Sequence, residues 1–236
     1  AAISPQPGQR LVEIGPGEGV LTRPLLEAVG VLQVVELDRD LATTLAQRLG
    51  EPEGLIIHQA DALRFDFGAL ASPEAPLRVV GNLPYNVSTP LLFHLFEHAD
   101  VIDDMVFMLQ KEVVSRLVAE PGGRQYGRLS VMAQFRCEMA WLFDVGPDAF
   151  DPPPKVDSAI IRMQPKAIDG SLKALEPSLD RLVRTAFNQK RKTLRNSLKK
   201  LLPPESIEAA GVNSSARPET LSLESFLELA RALASQ

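Results

Sequence analysis

The tightest constraint on this chain is a glycine loop set between an apolar strand and a helix. Leu11-Val12-Glu13-Ile14 reads as a buried strand, Gly15-Pro16-Gly17-Glu18-Gly19 follows at once, and Val20 to Val29 can form a helix. Glycine at a strand-to-helix turn permits positive φ and lets a ligand approach the backbone. The spacing is G-x-G-x-G. It differs from the G-x-G-x-x-G of dinucleotide folds, whose last glycine packs helix on strand beside a pyrophosphate.

The same alternation continues along the chain. Val31 to Leu37, Leu55 to Ile57, Leu77 to Val80 and Met105 to Leu109 read as further strands. Leu41 to Leu49 and Pro90 to Glu97 read as helices between them, and Ser130 to Val145 and Ser158 to Met163 as late strands. Such alternation predicts an α/β fold, a mostly parallel sheet covered by helices on both faces. The pattern changes after Met163: Gln164 to Gly170 reads as a linker, and only helical periodicity follows from Leu175. The expected organisation is a sheet domain over residues 1–166 and a small all-helical domain over 167–236.

Composition excludes several classes. Hydrophobic residues make up 45% and charged residues 23% of the 236, as in an ordinary globular chain. The single cysteine, Cys137, forbids an internal disulfide. No apolar run approaches the roughly 20 residues of a membrane span, and the first residues do not read as a signal peptide. A cytoplasmic monomer with no membrane contact is expected. Net charge is −5, yet residues 181–200 hold eight cations and no acid, so the remainder carries −13. Arg184, Lys190, Arg191, Lys192 and Arg195 form the heart of that block. A charged helix face is ordinarily just solvated; eight cations without an acid favour phosphate contact. On a helical wheel Val183, Phe187, Leu194 and Leu198 share one face, unless the helix breaks near Asn188.

Carboxylates follow two successive strands. Glu36 ends the second, where it can accept hydrogen bonds from both hydroxyls of a ribose. Asp61 follows the third, placed to meet an adenine amino group. Either alone could be a solvated carboxylate; together with the loop they point to a nucleoside ligand. They do not choose between S-adenosylmethionine and a nicotinamide. The fourth strand ends in Gly81-Asn82-Leu83-Pro84-Tyr85. As a structural element this is a turn. As chemistry it is an amide acceptor beside an aromatic platform, suited to a stacked adenine whose amine donates to Asn82 and to the Leu83 carbonyl.

His94 and His98 stand four apart on the expected third helix, a metal-binding spacing with no third ligand, so no metal is expected. Cys137 and Trp141 read as core.

At these residues the chain resembles the rRNA adenine N6,N6-dimethyltransferases of the KsgA (RsmA) type. The resemblance rests on Val12 to Thr22, Glu36-Leu37-Asp38, Asp61-Ala62, Asn82 to Tyr85, Gln110 to Val113 and Tyr126 to Ser130. It continues through Phe150-x-Pro152-x-Pro154 to Ser158 and Ala186 to Leu198, in family order over nearly the whole chain. It implies a Rossmann-like methyltransferase sheet of seven strands, one reversed, with a helical C-terminal domain contacting rRNA. It implies S-adenosylmethionine as cofactor and, as substrate, two adjacent adenosines near the 3′ end of 16S rRNA. That rRNA would be met in the 30S subunit or its precursor, and each adenosine would receive two methyls. Glu13, Gly15, Gly17 and Gly19 would line the methionine side of the cofactor. Glu36 and Leu37 would hold the ribose, and Asp61 and Ala62 the adenine. Asn82, Leu83, Pro84 and Tyr85 would hold the target base, with Asn82 also facing the cofactor and Phe150 as a second aromatic face. The amine would displace the methyl in line from its sulfonium.

The family's basic segment ahead of the first strand, with a Phe-Gly-Gln-Asn-Phe-Leu-like motif, has no counterpart in these residues, and cofactor affinity is expected to depend on it. Three rival readings remain. An Erm-type large-subunit rRNA methyltransferase shares the fold and an Asn-x-Pro-Tyr/Phe loop, but the match over Ala186 to Leu198 favours the small-subunit enzyme. A non-catalytic small-subunit assembly factor would not need Glu36, Asp61 and Asn82 to Tyr85. A nicotinamide oxidoreductase is disfavoured by the loop spacing.

Overall fold

The computed structural model describes residues 2–72, 75–84, 86–189 and 191–235. Tyr85 and Lys190 lie outside the described residues. The described residues divide into two compact units, Ala1–Val114 with Glu138–Pro165 and Ser115–Cys137 with Lys166–Gln236.

The first unit is built on a sheet of order β3-β2-β1-β4-β5-β7-β6. Its strands are β1 Arg10–Ile14, β2 Leu32–Glu36, β3 Leu55–Gln59, β4 Leu77–Asn82, β5 Ile102–Gln110, β6 Cys137–Val145 and β7 Ser158–Pro165. β1 pairs in parallel with β2 and β4, β2 with β3, and β4 with β5. β7 runs antiparallel to β5. Leu11, Val12, Ile14, Val34, Val35, Val79 and Val80 are buried. Central parallel strands are covered on both faces, so their sequences read as continuous apolar runs instead of alternating ones. Helices α1 Thr22–Val29, α2 Arg39–Leu49 and α3 Ser88–Glu97 make the crossovers. α2 starts where Asp38 Oδ1 accepts from the Asp40 and Leu41 amides at 2.8 and 3.1 Å. It stops at Gly50, whose φ of 83° is left-handed.

The second unit is helical. It contains α5 Arg128–Arg136, α6 Gly170–Phe187, α7 Leu194–Ser197, α8 Pro204–Ala209 and α9 Leu223–Ala234, and α4 Lys111–Leu117 crosses into it. Leu179, Leu182, Val183, Ala186, Leu194, Leu198, Phe226 and Leu229 are its buried core. The expected wheel over Val183 to Leu198 is interrupted because α6 ends at Phe187 and α7 begins at Leu194.

Three sequence expectations need correction. A single cut at 166/167 does not describe the units, because Ser115–Cys137 groups with the C-terminal helices. Ser130 to Arg136 is helix, not strand. Leu129 to Ala133, Phe135 and Arg136 are all buried, so this helix is covered nearly all round and shows no 3.6-residue period. Arg136, on its last turn, forms a buried ion pair with Glu176 of α6. Trp141 is partly exposed on β6; its indole donates to Asp144 Oδ1 at 2.8 Å and Lys111 Nζ lies 6.0 Å from the ring.

A buried ionic cluster fastens the start of β4 to the start of β5. Asp104 is 1% exposed; its Oδ1 accepts from Arg78 Nε at 2.6 Å and its Oδ2 from Arg162 Nη2 at 2.6 Å. Arg78, itself buried, also donates to Gln9 Oε1 and to the Ile3 carbonyl, both at 2.7 Å. Burial pushes the Asp104 carboxyl up, but the hydrogen bonds and charges of Arg78 and Arg162 outweigh it and hold the carboxyl below its ordinary value. Removing one partner of a buried pair strands the other's charge. Asp104→Ala is expected to cost about 3–5 kcal/mol in urea denaturation. A loss below about 1 kcal/mol, the range of exposed pairs, would contradict the clamp.

Candidate active site

Three strand ends meet at the carboxyl side of the sheet. β1 delivers the glycine loop, β2 delivers Glu36, and β3 delivers Asp61. Gly15 N donates to the Val35 carbonyl at 3.0 Å, which docks the loop on β2. Gly17 has φ 55°, and its amide points at Glu36 Oε2 at 3.4 Å. The other oxygen of Glu36, Oε1, accepts from the Asp38 amide at 2.9 Å. Glu36 is buried, and its own carbonyl accepts from Ala60 N at 3.0 Å, which joins β2 to the turn carrying Asp61. Asp61 Oδ1 accepts from Leu63 N at 2.9 Å and its carbonyl from Arg64 N at 2.9 Å, closing that turn.

These residues border a cavity of about 360 Å³. Gly15, Glu36, Leu37, Asp61, Ala62 and Pro84 of the expected site line it. Leu37 is 67% exposed, an apolar side chain on the lining of the site. Glu13, Gly17, Gly19, Asn82, Leu83 and Phe150 are not among its lining residues. Gly17 reaches it through Glu36. Sequence reasoning missed Asp38, Ala60, Leu63, Asn86, Val87 and Leu91. Val87 and Leu91 were findable, since they are four apart at the start of the helix that follows the Asn82 loop. Asn86 carries no such signal.

Glu13 lies beneath the loop, 1% exposed. Thr22 faces it and favours its charged form, yet neither Glu13 Oε2 nor Thr22 Oγ1 makes a hydrogen bond of normal length. Burial dominates, the Thr22 hydroxyl opposes it and the Glu36 charge adds to it, and the carboxyl is pushed up to about 7. An orphaned buried carboxylate beside a ligand cavity is a ready partner for a cationic group.

β4 brings the Asn82 loop alongside. Gly81 packs against β1 so closely that a Cβ there would stand 2.6 Å from the Ile14 carbonyl oxygen. Asn82 follows, exposed at the strand end. Leu83 is buried and its amide donates to the Met108 carbonyl at 3.1 Å, while Pro84 O accepts from Val87 N at 3.2 Å. Phe150 is half-buried, next to the cis Asp151–Pro152 bond, with its amide on the Pro147 carbonyl at 3.1 Å. In the helical unit Arg184, Arg191, Lys192 and Arg195 are exposed, and Arg184 pairs with Asp180 at 2.7 Å.

A family profile described as ribosomal RNA adenine dimethylase matches residues 1–235. The chain belongs to the ribosomal RNA adenine dimethylase family. It is 57% identical over 99% of its length to the Ribosomal RNA small subunit methyltransferase A of Pseudomonas aeruginosa, covering 87% of that protein. It is 54% identical over 97% of its length to the protein of that name from Acinetobacter baylyi, covering 83%. A dimethyladenosine transferase from Plasmodium falciparum superposes with TM-score 0.79 at 26% identity, over 97% of this chain and 90% of that one. The 23S rRNA methyltransferase ErmE superposes with TM-score 0.72 at 28% identity, over 99% and 94%. This dimethylase sheet is the S-adenosylmethionine-dependent methyltransferase sheet, and its cavity fits that cofactor. Glu36 has one oxygen engaged only by a long contact, Asp61 and Ala62 stand across a partly apolar cavity, and Glu13 is an unmatched acid near the loop.

The raised Glu13 pKa has a signed consequence for stability. The folded dimethylase keeps a proton that the unfolded chain releases between pH 4.5 and about 7. The contribution is therefore free of penalty below pH 4.5 and is lost as pH rises to about 7, by about 3 kcal/mol. Glu13→Gln should gain on the parent by that amount between pH 4 and pH 8 in urea denaturation of the ligand-free chains. A pH-independent difference would show that Glu13 does not titrate in this window.

Proposed function

We propose that this chain dimethylates N6 of two adjacent adenosines near the 3′ end of 16S rRNA, in the small ribosomal subunit or its precursor. The observation that carries this reading is the placing of a cavity lined by Glu36 and Asp61 beside the Asn82-Leu83-Pro84 strand end. The small-subunit names of the relatives at 54–57% identity support the choice of substrate. On this reading the protein acts as a cytoplasmic monomer in ribosome biogenesis. Glu36 and Leu37 hold the ribose of S-adenosylmethionine, Asp61 and Ala62 its adenine, and Glu13 with Gly15, Gly17 and Gly19 its methionine part.

When bound, S-adenosylmethionine supplies a methyl group activated by a sulfonium sulfur that departs as a neutral thioether. The protein's task is alignment and exclusion of water. Asn82 Oδ1 accepts one N–H of the target amine and the Leu83 carbonyl the other. Both acceptors draw electron density onto N6 and fix the direction of its lone pair. Leu83 is suited to this because it is buried and its amide is fixed on the Met108 carbonyl just past the end of β4. Pro84 stiffens the loop, and Tyr85 and Phe150 sandwich the base. Asn82 is no base; the amine's proton leaves to water after transfer. Only an adenosine free of a duplex can enter such a pocket, and single-stranded loops offer unstacked bases. Arg184, Lys190, Arg191, Lys192 and Arg195 contact rRNA phosphates, which position the substrate without reading its sequence.

The reading is tested at Asn82. Asn82→Ala should lower methyl transfer to unmodified small subunits by on the order of 100-fold, the size seen when one preorganised hydrogen-bond group is removed. S-adenosylmethionine affinity, measured by calorimetry, should stay near that of the parent. Full activity in the variant would remove Asn82 from this role.

A further inference from the structure

All three histidines of the chain gather at one place that the reaction does not use. His58 is the last residue but one of β3, and its Nε2 lies 2.8 Å from Gln33 Oε1. His94 and His98 stand on and just after α3, ring centroids 5.0 Å apart. Between them runs the loop that follows Asp61. Its Phe65 ring meets His58 at 5.1 Å and Phe67 at 5.1 Å, and Phe67 is fully buried against His94 and His98 at 5.9 Å each. No group of three His, Cys, Asp or Glu suited to a metal occurs among the described residues.

The decisive contact is polar. His94 Nε2 donates to the Phe65 carbonyl at 2.8 Å; a carbonyl can only accept, so Nε2 bears a hydrogen. His94 Nδ1 faces Glu97 Oε2 at 3.4 Å. This bond joins two walls of the cofactor cavity. Asp61, Ala62 and Leu63 form one wall, on the turn that ends just before Phe65. Val87 and Leu91 form the other, and His94 follows Leu91 by one turn of α3. The Asp61 turn is fixed at its start by Ala60 N on the Glu36 carbonyl and at its end by His94.

We infer that His94 is a positioning residue that sets the place of the Asp61 wall of the cofactor cavity by fastening it to α3. The inference rests on the reading of this cavity as the S-adenosylmethionine site. His94 is not among the residues that line the cavity; it acts through the Phe65 backbone. Loss of the bond leaves the Phe65 carbonyl without its side-chain donor and frees the turn, so ordering it becomes part of the cost of binding.

Two substitutions separate positioning from mere packing. A glutamine amide reaches about as far as His Nε2, whereas an asparagine amide stops one methylene short. His94→Asn should weaken S-adenosylmethionine binding about tenfold in calorimetry, the size of one buried group left unpaired. Its KM for the cofactor should rise with kcat little changed, while His94→Gln should restore both. Equal losses in the two variants would reduce His94 to a packing residue, and binding like the parent's in both would remove it from the site altogether. Glu36→Ala measured alongside keeps the two readings apart. If it loses binding while His94→Asn does not, the positioning role fails and the cavity stands. If Glu36→Ala binds normally, the cavity reading fails and the inference with it.

Discussion

The site depends on β4 lying directly against β1. Strand order runs outward from β1 to β3 on one side and from β4 to β5 on the other. Loops after β1 and β4 therefore leave the sheet in opposite directions, and a crevice opens between them. The contact that holds this junction is tight: Gly81 passes the Ile14 carbonyl so closely that no side chain fits at that position. A methyl there would force β4 away from β1 at the point where the glycine loop and the Asn82 loop begin. The glycine loop, Glu36, Asp61 and the Asn82 loop are then neighbours because their strands are.

Two buried carboxylates of the sheet, Asp104 and Glu13, show how stability and chemistry are divided between its ends. Asp104, near the start of β5, is met by two arginines and held in its charged form. Glu13, near the end of β1, has no cation facing it and an oxygen without a partner, and its carboxyl sits near neutrality. The first arrangement is complete in the protein alone. The second is incomplete, and incompleteness at the carboxyl end of a parallel sheet is where a ligand would supply the missing group.

Much of this was legible in the sequence because parallel strands and glycine turns leave local marks. Leu11 to Gly19 predicted β1 and its loop, and Glu36 and Asp61 were found because they stand at the ends of two successive strands. Ser130 to Arg136 was misread because α5 is buried nearly all round, which erases the helical period. Ser115–Cys137 was assigned to the wrong unit because membership there depends on contacts with residues after Lys166, which no local pattern records. Trp141 looked like core by type, yet it lies on a strand whose residues are largely exposed. His94 was weighed as a metal ligand and set aside for a solvated or capping role; its partner is a backbone carbonyl 29 residues away, invisible to any spacing rule.

The most direct test of the central claim is methyl transfer from labelled S-adenosylmethionine to small ribosomal subunits lacking the modification, with large subunits in parallel and the labelled bases mapped. The account predicts label on N6 of two adjacent adenosines near the 3′ end of the small-subunit rRNA, two methyls on each. Label confined to the large subunit, or firm binding of small subunits with no transfer, would contradict it.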